Sequence, residues 1–347
     1  MLSGQLQAHA GASTPRSQSS ATTSTAPKAR WQTPTLTRSV SEGTQEYSPR
    51  SGVGLVSPAV AQWSRWVPIL LLVTAISFRA SFTPWSFMWM MLLAIFAASK
   101  WVTWYRAACE AHGVGVGRLL AYFCAWPGMD AGAFFNPVAT VPRPTAFEWS
   151  QAISKTSLGA VLLWAIARLV PADWPLLAGW VGMIGMGFLV HFGAFHFLAL
   201  LWQSARVDAP HIFRAPARAH SVADFWGSRW NLAFRELSHS LVFRPLAGRV
   251  GVVAASLAAF VASGFVHELV ISLPAGNGYG LPTAYFLIQW LGVLLERSRV
   301  GKRLRLRRGL PGWLFALIVV AGPACLLFHR PFVVGVVCPF MRVIGAL

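Results

Sequence analysis

Residues 224–246, DFWGSRWNLAFRELSHSLVFRPL, and the apolar run at 250–273, VGVVAASLAAFVASGFVHELVISL, decide the fold. The first stretch is too charged to span a bilayer and too aromatic for an ordinary solvent loop. The second is long enough to span, since about 20 apolar residues cross the hydrocarbon core. Yet it carries His267 and Glu268 in its interior. An amphipathic element feeding a membrane helix with a His–Glu pair places the chemistry of this chain at that junction.

Composition agrees. Only 12% of the 347 residues are charged and 55% are hydrophobic, with 17 Trp. Soluble domains carry about 25% charged residues, so the expected class is an all-α integral membrane protein. The formal charge of +18 would suit nucleic acid. Here the basic residues fall between apolar runs, as in loops that flank membrane spans and face an anionic leaflet. No nucleic-acid partner is expected. The four cysteines (Cys109, Cys124, Cys325, Cys338) form no CxxC pair, and the histidines make no HxxxH or HExxH box, so no metal is expected.

Residues 1–58 are rich in Ser, Thr, Pro, Gln and Gly without apolar periodicity, which predicts a disordered tail. Residues 59–347 then form a multi-pass membrane domain with its motifs in 221–273. Apolar runs near 66–78, 84–99, 153–170, 175–202, 250–273, 281–295 and 311–328, and one from 332, predict about eight transmembrane helices. The loop 203–249 holds seven Arg, and 297–308 holds seven basic residues and no acid. Two spans separate them, so both fall on one side. The positive-charge bias makes that side cytoplasmic, together with the N-terminal tail and the loop to residue 310.

Read as a helix from Asp224, the first stretch puts Trp226 and Trp230 on one row and Phe225 and Arg229 on the next. Asn231, Arg235 and His239 form a third row. Such a helix would lie in the interface, aromatics among acyl chains and arginines near phosphates. Periodicity alone favours a plain surface anchor. His267 is different in kind, because an ionisable residue inside a span is costly and marks a functional site by default. Its bland alternative is a structural histidine bonded to a carbonyl. Glu268 points about 100° away from it around the helix. Gly264, one turn earlier, leaves room for a ligand or a neighbouring backbone. His191 and His196 are about 140° apart on their helix, so a wall position for one and a structural role for both stay equally open.

The order Asp224-Phe225-Trp226-Gly227-Ser228-Arg229-Trp230-Asn231, followed by Phe243-Arg244-Pro245, resembles the signature of wax synthases, a branch of the membrane-bound O-acyltransferases (MBOAT). Ser263-Gly264-Phe265-Val266-His267-Glu268 resembles that family's second motif, which bears its catalytic histidine. The resemblance implies MBOAT-type transmembrane helices, with amphipathic interfacial helices, around an intramembrane reaction chamber. It implies transfer of a fatty acyl group from acyl-CoA to a hydroxyl of a lipophilic acceptor in the lipid bilayer. A long-chain alcohol comes first; diacylglycerol, a sterol or another hydroxyl are alternatives. His267 would be the general base and Asn231 its positioning partner. Trp226, Arg229, Trp230, Arg235, Glu268 and His191 would contact substrate. Acyl-CoA is a co-substrate, and no cofactor is implied because the thioester is already activated. The reading from another class is a transporter whose His267 and Glu268 line a proton or solute path. The absence of an internal repeat counts against it.

Overall fold

The computed structural model describes residues 64–108, 114–137 and 139–347; the tail expected over 1–58 lies outside the described residues. Every regular element among the described residues is helical. In chain order the main ones are α1 (Val67–Ser77), α2 (Pro84–Ala107), α3 (Val116–Ala125), α4 (Ala146–Leu169), α5 (Pro175–Ser204), α6 (Leu232–Ala275), α7 (Leu281–Arg297), α8 (Arg299–Arg303) and α9 (Gly309–Leu327), with shorter helical turns between them. A last, segmented helical stretch, α10, occupies 330–343. Five of them, α2, α4, α5, α6 and α9, are long and apolar enough to cross a membrane. The chain is therefore an integral membrane protein. The expected count of eight is finer than these helices support. The helix α1 has 11 residues and α7 has 17, and α10 extends only over 330–343.

Local sequence explains where the helices start. Thr145 and Glu148 form a reciprocal capping box that opens α4, with Glu148 N–H donating to Thr145 Oγ1 at 3.3 Å and Thr145 N–H to Glu148 Oε2 at 2.7 Å. Pro175 and Pro282 sit in the first turns of α5 and α7, where an N–H is not needed. Proline also shapes α9: Pro323 has no N–H for the Val319 carbonyl four residues back. The α7 side chains replace what is missing. Gln289 Nε2 donates to the Val319 carbonyl at 2.8 Å, and Tyr285 Oη donates to that of Val320 at 3.1 Å. A polar residue on an otherwise apolar helix thus locks α7 to α9.

The helix α6 contains one interruption. Gly251 has φ 83° and ψ 163°, a conformation open essentially to glycine alone. It divides an arm ending at Val250 from an apolar rod starting at Val252, close to where the sequence predicts the span to begin. The expected single helix over 224–246 is two. Asn231, at φ 41°, is left-handed and ends one turn while opening the next. Before it, Trp230 N–H reaches the Phe225 carbonyl five residues back at 2.9 Å. The wider turn breaks the four-residue row: Phe225 stacks on Trp230 (5.4 Å, 15°), and Trp226 turns towards α7.

The two basic loops meet at one end of the helices, consistent with their falling on one side. Trp313 Nε1–H donates to the Ala217 carbonyl at 2.8 Å. The buried Glu296 carboxylate, at the end of α7, accepts the N–H groups of Val222 (2.8 Å) and Ala223 (3.2 Å).

Candidate active site

His267 lies on the apolar rod of α6, and its Nδ1 is 2.7 Å from the carbonyl oxygen of Ser263, one turn earlier. A carbonyl only accepts, so Nδ1 carries the proton, and in the neutral ring Nε2 keeps its lone pair. Among the described residues the sealed polar side-chain atoms without a partner are Trp89 Nε1 and Glu268 Oε2. Nε2 of His267 is not one of them, and among the described residues it makes no hydrogen bond to the protein. The ring packs on Phe286 of α7, centroids 4.7 Å apart. One nitrogen is anchored and the other is available: this is the arrangement a general base needs.

Glu268 is used otherwise. Its Oε1 accepts from Gly280 N–H (3.0 Å), Thr283 N–H (3.1 Å) and Thr283 Oγ1–H (2.9 Å). These groups open α7, where a helix presents unsatisfied N–H groups and the positive end of its dipole. Glu268 is thus a cap contributed from another helix. Gly264 makes the approach possible, since a Cβ there would lie 2.8 Å from the Thr283 Cα. Of the two sequence options for Gly264, the neighbouring backbone is the one realised. Clamped at Glu268 and Gly264, α7 holds Phe286 against His267.

The same helix holds the first motif. Trp226 Nε1–H donates to Gln289 Oε1 at 3.2 Å, and because Gln289 Nε2 donates to Val319, the amide orientation is unambiguous. The Trp226 ring meets Phe286 at 5.4 Å and Tyr285 at 6.5 Å. The path of ring contacts from the first motif to His267 therefore runs through Trp226 and Phe286. Sequence reading had missed Phe286, Gln289 and Glu296. The last two carried a signal, being polar residues at the interior and edge of an apolar run; Phe286 carried none.

Asn231 opens the turn after the break, and its Oδ1 accepts Phe234 N–H at 3.2 Å. Among the described residues no hydrogen bond joins it to His267; its amide NH2 keeps both donors. Arg229 is committed within its own loop. Its Nε bonds Asp224 Oδ2 at 2.7 Å, and Nη1 reaches the carbonyls of Arg214 (3.5 Å) and Ala215 (3.3 Å). Desolvation alone would raise the Asp224 pKa, but hydrogen bonds from Ser228, Arg229 and the His220 N–H hold it below the ordinary value. Arg235 is exposed and pairs only with its neighbour Glu236 at 2.5 Å. Trp230 and His191 share an aromatic cluster: His191 lies 5.1 Å from Phe213, 5.7 Å from Phe195 and 6.3 Å from Trp230. His191 thus stands beside the Trp230–Asn231 corner, while His196 turns to His211, 4.6 Å away.

A second histidine sits beside a serine, and its tautomer disqualifies the pair as a nucleophile. His329 Nδ1 accepts Phe332 N–H at 3.3 Å, so a neutral ring carries its proton on Nε2, 3.4 Å from Ser272 Oγ. Such a ring donates to the hydroxyl and cannot take its proton. Among the described residues no three His, Cys, Asp or Glu side chains are grouped to hold a metal ion.

Comparison with known proteins matches residues 209–288 to the "Membrane bound O-acyl transferase family". The chain is also 29% identical over 123 residues to "Long-chain-alcohol O-fatty-acyltransferase" of Simmondsia chinensis, covering 32% of this chain and 35% of that relative. Over 137 residues it is 29% identical to "Probable long-chain-alcohol O-fatty-acyltransferase 7" of Arabidopsis thaliana, covering 34% and 38%. The chain thus matches little more than a third of the length of either relative. The matched family segment contains Trp226, Asn231, His267, Glu268 and Phe286. The resemblance read from the two motifs is thereby borne out: the segment that builds this site matches the membrane-bound O-acyltransferases, and its relatives point to the wax synthase-like branch.

Proposed function

We propose that this protein is an acyl-CoA-dependent O-acyltransferase that esterifies a lipophilic acceptor, a long-chain alcohol first among them. The observation that carries the reading is the Nδ1–H bond of His267 to the Ser263 carbonyl, which leaves Nε2 as the proton acceptor. In the reaction, Nε2 takes the proton of the acceptor hydroxyl as its oxygen attacks the thioester carbonyl. The tetrahedral intermediate collapses with cleavage of the C–S bond, and the imidazolium returns the proton to the departing thiolate. No redox equivalent and no covalent enzyme intermediate is required, because the thioester is already activated. The Ser263 carbonyl stabilises the transient imidazolium as it orients the ring. The donor amide of Asn231 is suited to a substrate oxygen, so its role is positioning. The positive-charge bias puts the basic loops on the cytoplasmic side, where an anionic CoA arrives, and the acceptor enters from the bilayer.

The transporter reading loses support, since three hydrogen bonds tie Glu268 to the start of α7. The test is incubation of purified protein with labelled palmitoyl-CoA and a panel of long-chain alcohols, diacylglycerol and sterol. Labelled ester that disappears with His267→Ala supports the reading. Proton or solute flux in liposomes without ester formation overturns it.

A further inference from the structure

At the end of the helices where the basic loops meet, the 220–224 segment and the turn between α8 and α9 line an open cleft of about 1120 Å³. Four cations, Lys302, Arg305, Arg307 and Arg308, line it. Its acids are already engaged: Glu296 accepts two backbone N–H groups, and Asp224 bonds Ser228, Arg229 and the His220 N–H. Among the described residues the four cationic side chains make no hydrogen bond or ion pair. A basic loop needed only for membrane orientation has no reason to converge. This one does, through a left-handed Arg305 (φ 55°) and closing bonds from Leu306 N–H to the Gly301 carbonyl (2.9 Å) and from Arg308 N–H to the Arg305 carbonyl (3.0 Å). Interleaved with the cations, Val300, Leu304 and Leu310 expose apolar side chains. A site for a soluble nucleotide gains nothing from them, whereas a membrane surface buries them among acyl chains while the cations meet phosphates.

We propose that this cleft binds the phosphate group of an anionic phospholipid through Lys302, Arg305, Arg307 and Arg308. The proposal stands apart from the acyl-transfer reaction, and its test needs no turnover. The full chain, purified in neutral detergent, is incubated with equal amounts of phosphatidylglycerol and phosphatidylcholine. Lipid retained through gel filtration is then counted by mass spectrometry. The expected result is retention of phosphatidylglycerol over phosphatidylcholine by roughly tenfold. The fourfold variant Lys302→Gln/Arg305→Gln/Arg307→Gln/Arg308→Gln should lose that preference. The control Arg299→Gln/Arg303→Gln, whose side chains do not line the cleft, should keep it. Should the fourfold variant not fold, the wild type decides: in about 1 M salt, with a Debye length near 3 Å, the preference should vanish. A preference that survives both the substitutions and the salt overturns the proposal. So does displacement of the retained phosphatidylglycerol by free coenzyme A at micromolar concentration, which would assign the cleft to a nucleotide.

Discussion

His267 on the rod of α6 and the 221–231 segment both carry polar groups into apolar surroundings, and they use most of them differently. On the rod, His267 makes one bond inside its own helix and leaves one nitrogen open. In the segment, polar groups are spent on shape: Ser221 caps Asp224 N–H, Asp224 holds Ser228 and Arg229, and Asn231 Oδ1 caps the following turn. The difference teaches that residue type alone does not mark the reactive group. What separates the candidates is an atom left without a protein partner, and here those atoms are Nε2 of His267 and the amide NH2 of Asn231.

The largest expected effect tests the open nitrogen. His267→Ala should lower kcat by about 10²–10⁴-fold, the usual worth of a positioned acid–base group, with Tm in detergent nearly unchanged. Its only hydrogen bond is intrahelical, so little of the fold depends on it. A variant that keeps wild-type turnover would move the base elsewhere and break the contrast between the two regions.

Next comes the residue beside it. Glu268→Ala leaves three donors at the start of α7 without their acceptor, and hydrogen bonds to a charged group are worth about 1.5–3 kcal/mol. A loss of roughly 3 kcal/mol is expected, seen as a lower Tm with activity falling in step as Phe286 loosens from His267. Glu268→Gln retains an acceptor oxygen and should recover most of both. If Gln is as inactive as Ala while Tm stays at the wild-type value, Glu268 takes part in chemistry and the capping role fails.

These two neighbours show what could be read from the sequence. The all-helical membrane class follows from composition, and the His267 helix from an ionisable pair in an apolar run. The motif order also located the segment that matches the family. The division of labour between His267 and Glu268 could not be read, because it depends on α7 arriving over Gly264, a contact between positions far apart in sequence. The break at Asn231 was missed for a related reason. Four-residue spacing describes a regular helix, and a left-handed asparagine after a five-residue hydrogen-bonded turn looks the same in one dimension. The count of eight spans goes beyond what length and composition support at α1, α7 and α10, where the helices are short.

Asn231 carries both uses in one side chain, so substitutions can separate them. Asn231→Asp keeps an oxygen for Phe234 N–H and tolerates the left-handed backbone, but it removes the NH2 donors. Stability should change by less than about 0.5 kcal/mol while kcat falls about tenfold, the worth of one hydrogen bond lost at the transition state. Asn231→Ala should cost about 1 kcal/mol more through the missing cap. Turnover unchanged in the Asp variant would make Asn231 a cap and nothing else.

The smallest effect separates the two arginines. Arg229 is held by Asp224 and two carbonyls, whereas Arg235 is exposed and pairs only with Glu236. An exposed ion pair contributes between 0 and about 1 kcal/mol, so Arg235→Gln should leave Tm in place. It should instead raise KM for acyl-CoA by about two- to fivefold at low salt, an effect that disappears near 1 M salt as the guanidinium field is screened. Arg229→Gln should do the reverse, lowering Tm through the loosened 214–229 loop and leaving KM nearly unchanged. If Arg229→Gln raises KM at constant Tm, its internal bonds are not its purpose. The 221–231 segment would then present charge to substrate as well as shape, and the contrast with the α6 rod would narrow to His267 alone.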